Sequence, residues 1–114
     1  MNKKQMSEED IKLHFITPSI EKGKWDKKQM RMNVYFTDGK IIVAGKTVKR
    51  GKRNFADYIL EYKPNIPLAV VEAKDNNCEI GDGMQQALEY AKKLDLPFVF
   101  SSNGDGFIFH DREI

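Results

Sequence analysis

A single cysteine and two histidines leave this chain little with which to build thiol or soft-metal chemistry. Cys78 has no second cysteine for an intramolecular disulfide, which suits a reducing compartment. With only His14 and His110 elsewhere, neither a zinc site nor a Cys/His nucleophile pair is expected. No apolar run approaches the roughly 18 residues of a membrane span, and the N-terminus lacks the apolar core of a signal peptide. The expected setting is therefore the cytoplasm, without a membrane partner. Internal repeats, heptads and low-complexity linkers are also missing, so residues 1–114 read as one domain. A chain of this length buries about two-thirds of its unfolded surface, enough for a single core.

Several motifs are present only in part. Ala44-Gly45-Lys46-Thr47 resembles the end of a phosphate-binding loop, but Lys40 stands where the loop's first glycine is required, so no nucleotide site follows. Asp75-Asn76-Asn77 lacks the glycine and later glutamate of a calcium loop. Asn103-Gly104-Asp105-Gly106 is too short for a dinucleotide site and reads as a turn.

The formal net charge of +2 conceals an asymmetry. Residues 22–53 hold eleven Lys or Arg against two acids, a net +9, and the rest holds eight against fifteen, a net −7. Lys46, Lys49, Arg50, Lys52 and Arg53 lie within eight residues. A run of this kind is either a solvated loop or a surface that holds phosphates and releases counter-ions from DNA. An adjacent acidic metal site favours the second, since a phosphodiester substrate needs both signs of charge in neighbouring places.

Such a site is suggested by Asp57 in FADYILEY and by Glu72-Ala73-Lys74 in PLAVVEAK. Both runs read as neighbouring strands, and an unpartnered carboxylate in a buried strand costs several kcal/mol or more. A period of two puts Leu68, Val70, Glu72 and Lys74 on one face and Ala69, Val71 and Ala73 on the other. The same rule groups Asp57 with Phe55, Ile59 and Glu61. If the strands pair, Asp57 lies beside Glu72, and two carboxylates that close require a cation. Oxygen ligands suit Mg²⁺ or Mn²⁺, with Asp57, Glu72 and the Ala73 carbonyl as the ligand set and waters completing it. Lys74 would then orient a water or offset charge on a phosphoryl group, and phosphodiester hydrolysis is the reaction that fits. The alternative is a surface salt bridge between Lys74 and Asp57 or Glu72, because E-x-K is common in alternating strands.

The remaining pattern is α/β. Ser7 caps a helix whose first turn holds Glu8, Glu9 and Asp10 and whose apolar stripe is Ile11, Phe15 and Ile16; Pro18 should kink or end it. Trp25 is expected to pack beneath the following loop. Strands are expected at about 32–36 and 40–43, joined at Asp38-Gly39, ahead of the Asp57 and Glu72 strands. A second helix over 83–94 turns Met84, Ala87, Leu88, Ala91 and Leu94 to the sheet and Glu89, Lys92 and Lys93 to water. Gln86 and Tyr90 stack on one side of it, either as a polar flank or as a group serving the acids. Asp95 and Pro97 end it, and strands follow at 98–100 and 107–109. Strand, helix, strand implies a parallel pair and so a mixed central sheet flanked by helices.

In order, SEEDIKLHFITPSIEKGKW, RNFADYILEY, PLAVVEAKD and MQQALEYAKKLDLPFVFSSNGDGFIFHD resemble the N-terminal nuclease domain of the R subunit (HsdR) of type I restriction enzymes, in the PD-(D/E)xK nuclease superfamily. The likeness runs from about Ser7 to Asp111 and implies a restriction-endonuclease-like core. It matches Asp57, Glu72 and Lys74 to the family's catalytic core, Gln86 and Tyr90 to its Q-x-x-x-Y motif, and Glu8 to the acid of its first helix, with Glu9 the competing choice. Ala56 stands where the superfamily has proline, a change that removes no ligand. The resemblance implies a Mg²⁺- or Mn²⁺-dependent endonuclease module acting on double-stranded DNA, and a fragment of a longer R subunit that carries an ATP-dependent translocase. Modification and specificity subunits would choose the sequence. A repair or junction-resolving nuclease of the same superfamily, or a nonenzymatic nucleic-acid-binding module, are the other readings.

Overall fold

A computed structural model describes residues 2–37, 40, 41 and 54–113. Six strands form one sheet in the order β2-β1-β3-β4-β5-β6: β1 Met30–Thr37, β2 Lys40–Ile41, β3 Asn54–Lys63, β4 Ile66–Ala73, β5 Phe98–Ser102 and β6 Phe107–Asp111. All neighbours are antiparallel except β4 and β5, which run parallel across the helix α3, Met84–Leu94. The mixed α/β sheet expected from the strand, helix, strand succession is the observed one.

The two faces have separate cores. On one, the apolar stripe of α3 supplies Ala87, Tyr90 and Ala91, with Met84, Leu88 and Leu94 at its margin, against Val34, Phe36, Ala56, Ile59, Val70 and Val99. On the other, the N-terminal helical segment covers Tyr58, Leu60, Ala69, Val71 and Ala73 with Ile11, Ile16 and Ile20. Trp25 is half-buried against this second core, as expected. Asp95 ends α3 in the left-handed conformation at φ 56°, the usual device for closing a helix.

The N-terminal segment departs from the simple reading. Ser7 Oγ accepts the Asp10 N–H at 3.1 Å and starts α1, Glu8–Ile11, as the cap residues predict. Pro18 does not end the helix. A π turn at Lys12–Ile16 leads directly into α2, Thr17–Lys22, with the Thr17 N–H reaching back five residues to the Lys12 carbonyl. A π turn widens the ring, which brings residues five apart onto one side. Ile11 and Ile16 are therefore both fully buried, Phe15 only partly, and Lys12 is carried into the interior with them.

The period-two rule also fails at one place. Ala56 and Ile59, three apart, belong to the same core, as do Val34 and Phe36, whereas Tyr58 and Leu60 belong to the other. The alternation changes phase at Asp57, so Asp57 does not simply share a face with Ile59 and Glu61. Directly across, between the paired positions Met32↔Tyr58 and Val34↔Ala56, Asn33 has a left-handed backbone at φ 54°. The last two strands are longer than expected, and only Val99 of 98–100 is fully buried. The Asp38-Gly39 turn and residues 42–43 lie outside the described residues.

Gly104 ties the N-terminal segment to the β5–β6 loop. Its φ is +91°, and an added Cβ would fall 2.8 Å from Ile11 Cγ2, while Lys3 Nζ donates to its carbonyl at 2.8 Å. Gly104→Ala is expected to lower stability by about 1–3 kcal/mol in denaturant titration, through both strain and the collision with Ile11. An unchanged unfolding midpoint would show that the loop and α1 are not packed in this way.

Candidate active site

Between β3 and β4 the backbone ladder runs through Leu60↔Ala69, Ile59↔Val70 and Tyr58↔Val71. The next step would pair Asp57 with Glu72. Here the strands begin to part, and side chains take over the role of backbone carbonyls. The Asp57 N–H donates to Glu72 Oε2 at 2.8 Å, and the Ala73 N–H donates to Asp57 Oδ2 at 2.8 Å. Both residues are buried, at 7% and 3% exposure, where orphaned N–H groups would be costly. The two acids satisfy those groups reciprocally, and each spends one carboxylate oxygen doing so.

The other Asp57 oxygen, Oδ1, lies 3.6 Å from Lys12 Nζ. Lys12 is fully buried, and its ammonium also donates to Asn33 Oδ1 at 2.7 Å and Glu9 Oε1 at 3.2 Å. Burial, reinforced by the charge of Asp57, pushes the Glu72 carboxyl up to about 8. Glu8 is also held above the ordinary carboxylate range, first by burial and then by Asp57, with Lys12 and Lys74 opposing. Of the two candidate first-helix acids, Glu8 is half-buried and feels Asp57 directly, whereas Glu9 is exposed and reaches Asp57 only through Lys12.

Lys74 follows the last residue of β4, with its backbone N–H tied to the Ser102 carbonyl at 2.9 Å, and its charge acts on Glu8. The start of α3 closes against Glu72. A Cβ on Gly83 would lie 3.0 Å from Ser101 Oγ and 3.3 Å from Glu72 Cβ, so glycine permits the close approach. Ser101, paired with Glu72 across β4 and β5, receives the Gly83 N–H at 3.1 Å and donates to the Ile80 carbonyl at 2.8 Å. Further along α3, Gln86 Nε2 donates to the Tyr90 hydroxyl at 2.8 Å, and the Tyr90 ring meets Phe36 edge-on at 5.1 Å. Burial raises the Tyr90 phenol, and the Glu72 charge adds to the effect, which places this pair within the electrostatic reach of the acids.

Asp57 and Glu72 are thus in direct reciprocal contact, Glu8 lies within electrostatic reach of Asp57 and Lys74, and Tyr90, which holds Gln86, lies within electrostatic reach of Glu72. The basic stretch Lys46, Lys49, Arg50, Lys52 and Arg53 lies outside the described residues. Sequence reasoning missed Lys12 and Asn33. The available signal was a lysine four residues before Ile16 on an otherwise apolar stripe, but only the π turn shows that it points inward. Asn33 carries no comparable sign.

Among the described residues, no three His, Cys, Asp or Glu side chains converge as a ready metal cage. The oxygens that could hold an ion are those of the two carboxylates and the carbonyl of Ala73, whose N–H binds Asp57. Carboxylate and carbonyl oxygens suit a hard divalent ion that keeps several waters, as Mg²⁺ and Mn²⁺ do.

Comparison with known proteins extends over nearly the whole chain. It is 51% identical over 112 residues to the endonuclease subunit of the type I restriction enzyme EcoAI from Escherichia coli, a match covering 97% of this chain and 14% of that protein. The fold matches, with a TM-score of 0.79 and 38% identity, the solved fragment described as the HsdR subunit of a type I restriction enzyme from Vibrio vulnificus YJ016, covering 94% of this chain and 21% of that one. No family model matches the chain. The chain thus spans about a seventh of the length of this curated relative. Among the described residues no helix is long and apolar enough to cross a membrane.

The raised Glu72 carboxyl fixes a pH dependence. The folded protein holds its proton from the unfolded value near 4.5 up to about 8, so the stabilisation is complete below that window and is lost as pH rises through it. Without divalent ions, stability should fall by about 1.4 kcal/mol per pH unit across the middle of the window. Chemical denaturation at stepped pH should show this slope in the unaltered chain and lose it in Glu72→Gln. Equal slopes in both would place the proton elsewhere.

Proposed function

We propose, on the premise that this chain is a homologue of the endonuclease (HsdR) subunits of type I restriction enzymes, that it is a metal-dependent DNA endonuclease module of the PD-(D/E)xK type. The observation that carries this reading is the reciprocal arrangement of Asp57 and Glu72 at the parting of β3 and β4. Each acid is fixed by a backbone N–H and keeps a second oxygen for another partner. A bound Mg²⁺ or Mn²⁺ supplies Lewis acidity and lowers the pKa of its water, chemistry suited to phosphodiester hydrolysis.

The protein's own part is placement and charge. Asp57 and Glu72, with the Ala73 carbonyl, hold the ion. Lys74, at the end of the same strand, orients the attacking water and offsets the negative charge that develops on the phosphoryl oxygens. Glu8 bounds the site from the first helix. Tyr90 braces Gln86 by the 2.8 Å hydrogen bond, and Gln86 is the group for a DNA phosphate or an active-site water in this reading. Lys46, Lys49, Arg50, Lys52 and Arg53 supply the counter-charge for the DNA backbone, a contribution that weakens with salt.

The much greater length of the curated relative supports a role as the cleavage module of a longer R subunit in the cytoplasm. In that setting an ATP-dependent translocase delivers double-stranded DNA, and modification and specificity subunits choose the sequence. On this reading a chain of 114 residues alone is a weak or inactive nuclease.

Two variants separate metal binding from chemistry. Asp57→Ala should abolish the calorimetric heat of Mn²⁺ binding, whereas Lys74→Ala should retain that heat and lower plasmid nicking by about a hundredfold or more, the scale of losing a transition-state electrostatic contact. Equal heats from the unaltered chain and Asp57→Ala would remove the proposed metal site. Equal nicking by Lys74→Ala would remove the lysine from the reaction.

A further inference from the structure

The buried ammonium of Lys12 has no part in the reaction just described, yet it is the nearest described cationic group to the acids, 3.6 Å from Asp57 Oδ1. Its position is built. The π turn Lys12–Ile16 carries it inward, and Asn33 and Glu9 receive its protons at 2.7 and 3.2 Å. Asn33 occupies the step of β1 that faces Asp57 and does so in a left-handed backbone, a conformation that asparagine tolerates better than most residues but that still costs energy in a strand. Two irregularities on separate elements, a π turn and a strained strand residue, thus meet on one side chain.

Their combined effect is to hold a positive charge beside Asp57 without letting it close to hydrogen-bond distance. The Asn33 bond is shorter by 0.9 Å than the separation from Asp57, as the 2.7 and 3.6 Å distances give. Around this point, among the described residues, the carboxyl groups of Glu8, Glu9, Asp57 and Glu72 outnumber the ammonium groups of Lys12 and Lys74.

We propose that Lys12 is a positioning residue that serves as a resident counter-ion: it stands in for metal charge at Asp57, and Asn33 restrains it so that the oxygen it faces stays open to a divalent ion. This rests on the metal-site reading given above. The charge of Lys12 opposes metal entry, and the restraint by Asn33 limits that opposition. Altering the two residues should therefore move metal affinity in opposite directions.

Calorimetric titration of the 114-residue chain with Mn²⁺ alone tests this without recourse to cleavage. Lys12→Met removes the competing charge with a side chain of similar reach, and Mn²⁺ should bind about tenfold tighter or more, as expected for deleting a nearby like charge at low effective dielectric. Asn33→Gly relieves the left-handed backbone while freeing the ammonium to settle on Asp57, and Mn²⁺ should bind several-fold weaker. A residue that merely supports the fold would weaken binding in both cases. Unchanged or weaker binding by Lys12→Met overturns the proposal, as does unchanged or tighter binding by Asn33→Gly, which still decides the matter if Lys12→Met does not fold. No Mn²⁺ heat from the unaltered chain overturns both this inference and the metal site beneath it. Normal heat there with both variants unchanged overturns this inference alone.

Discussion

Where β3 and β4 separate, two backbone N–H groups lose the partners that a continued ladder would give them, and two carboxylates replace those partners. A buried N–H without an acceptor costs about 1–3 kcal/mol, and a buried carboxylate without donors costs more. Joined reciprocally, each defect compensates the other. The remaining features of the site follow from this exchange. The acids are brought close enough for their charges to oppose one another, Glu72 is held far above its ordinary range, and a cation beside them becomes an electrostatic requirement. That requirement is met in part by Lys12 from the N-terminal segment.

The rest of the architecture holds that step in place from three sides. The helix α3 approaches Glu72 through Gly83 and is fixed there by Ser101. The N-terminal segment is pinned to the β5–β6 loop by Lys3, which pairs with Asp105 at 2.7 Å and donates to Gly104. Across β1, Asn33 breaks the regular alternation opposite Asp57.

Much of this was legible in the residues. Two apolar runs with acids embedded in them gave the strand pair, since only a partnered charge survives in such a run. The stripe of Met84, Ala87, Leu88, Ala91 and Leu94 gave α3 and the face it buries. The spacing of Gln86 and Tyr90 gave their contact. What resisted was whatever depends on local departures from periodicity. Alternation by two predicted the wrong company for Asp57 because β3 changes phase there, opposite the left-handed Asn33 of the neighbouring strand, and no pattern within β3 records it. Pro18 suggested a helix kink or end because its missing N–H breaks a regular ladder. The π turn before it changes the bonding and lets the helix continue to Lys22. The same turn hid Lys12, whose inward direction depends on a spacing of five that an ordinary helix does not use.

Whether Asp57 and Glu72 share one inorganic cation is decided by anomalous diffraction from crystals of this chain grown with Mn²⁺. A shared ion gives an anomalous peak in contact with oxygens of both Asp57 and Glu72. A Mn²⁺ site bound by other residues, or an acid pair that keeps only its backbone and lysine partners at saturating Mn²⁺, would contradict it.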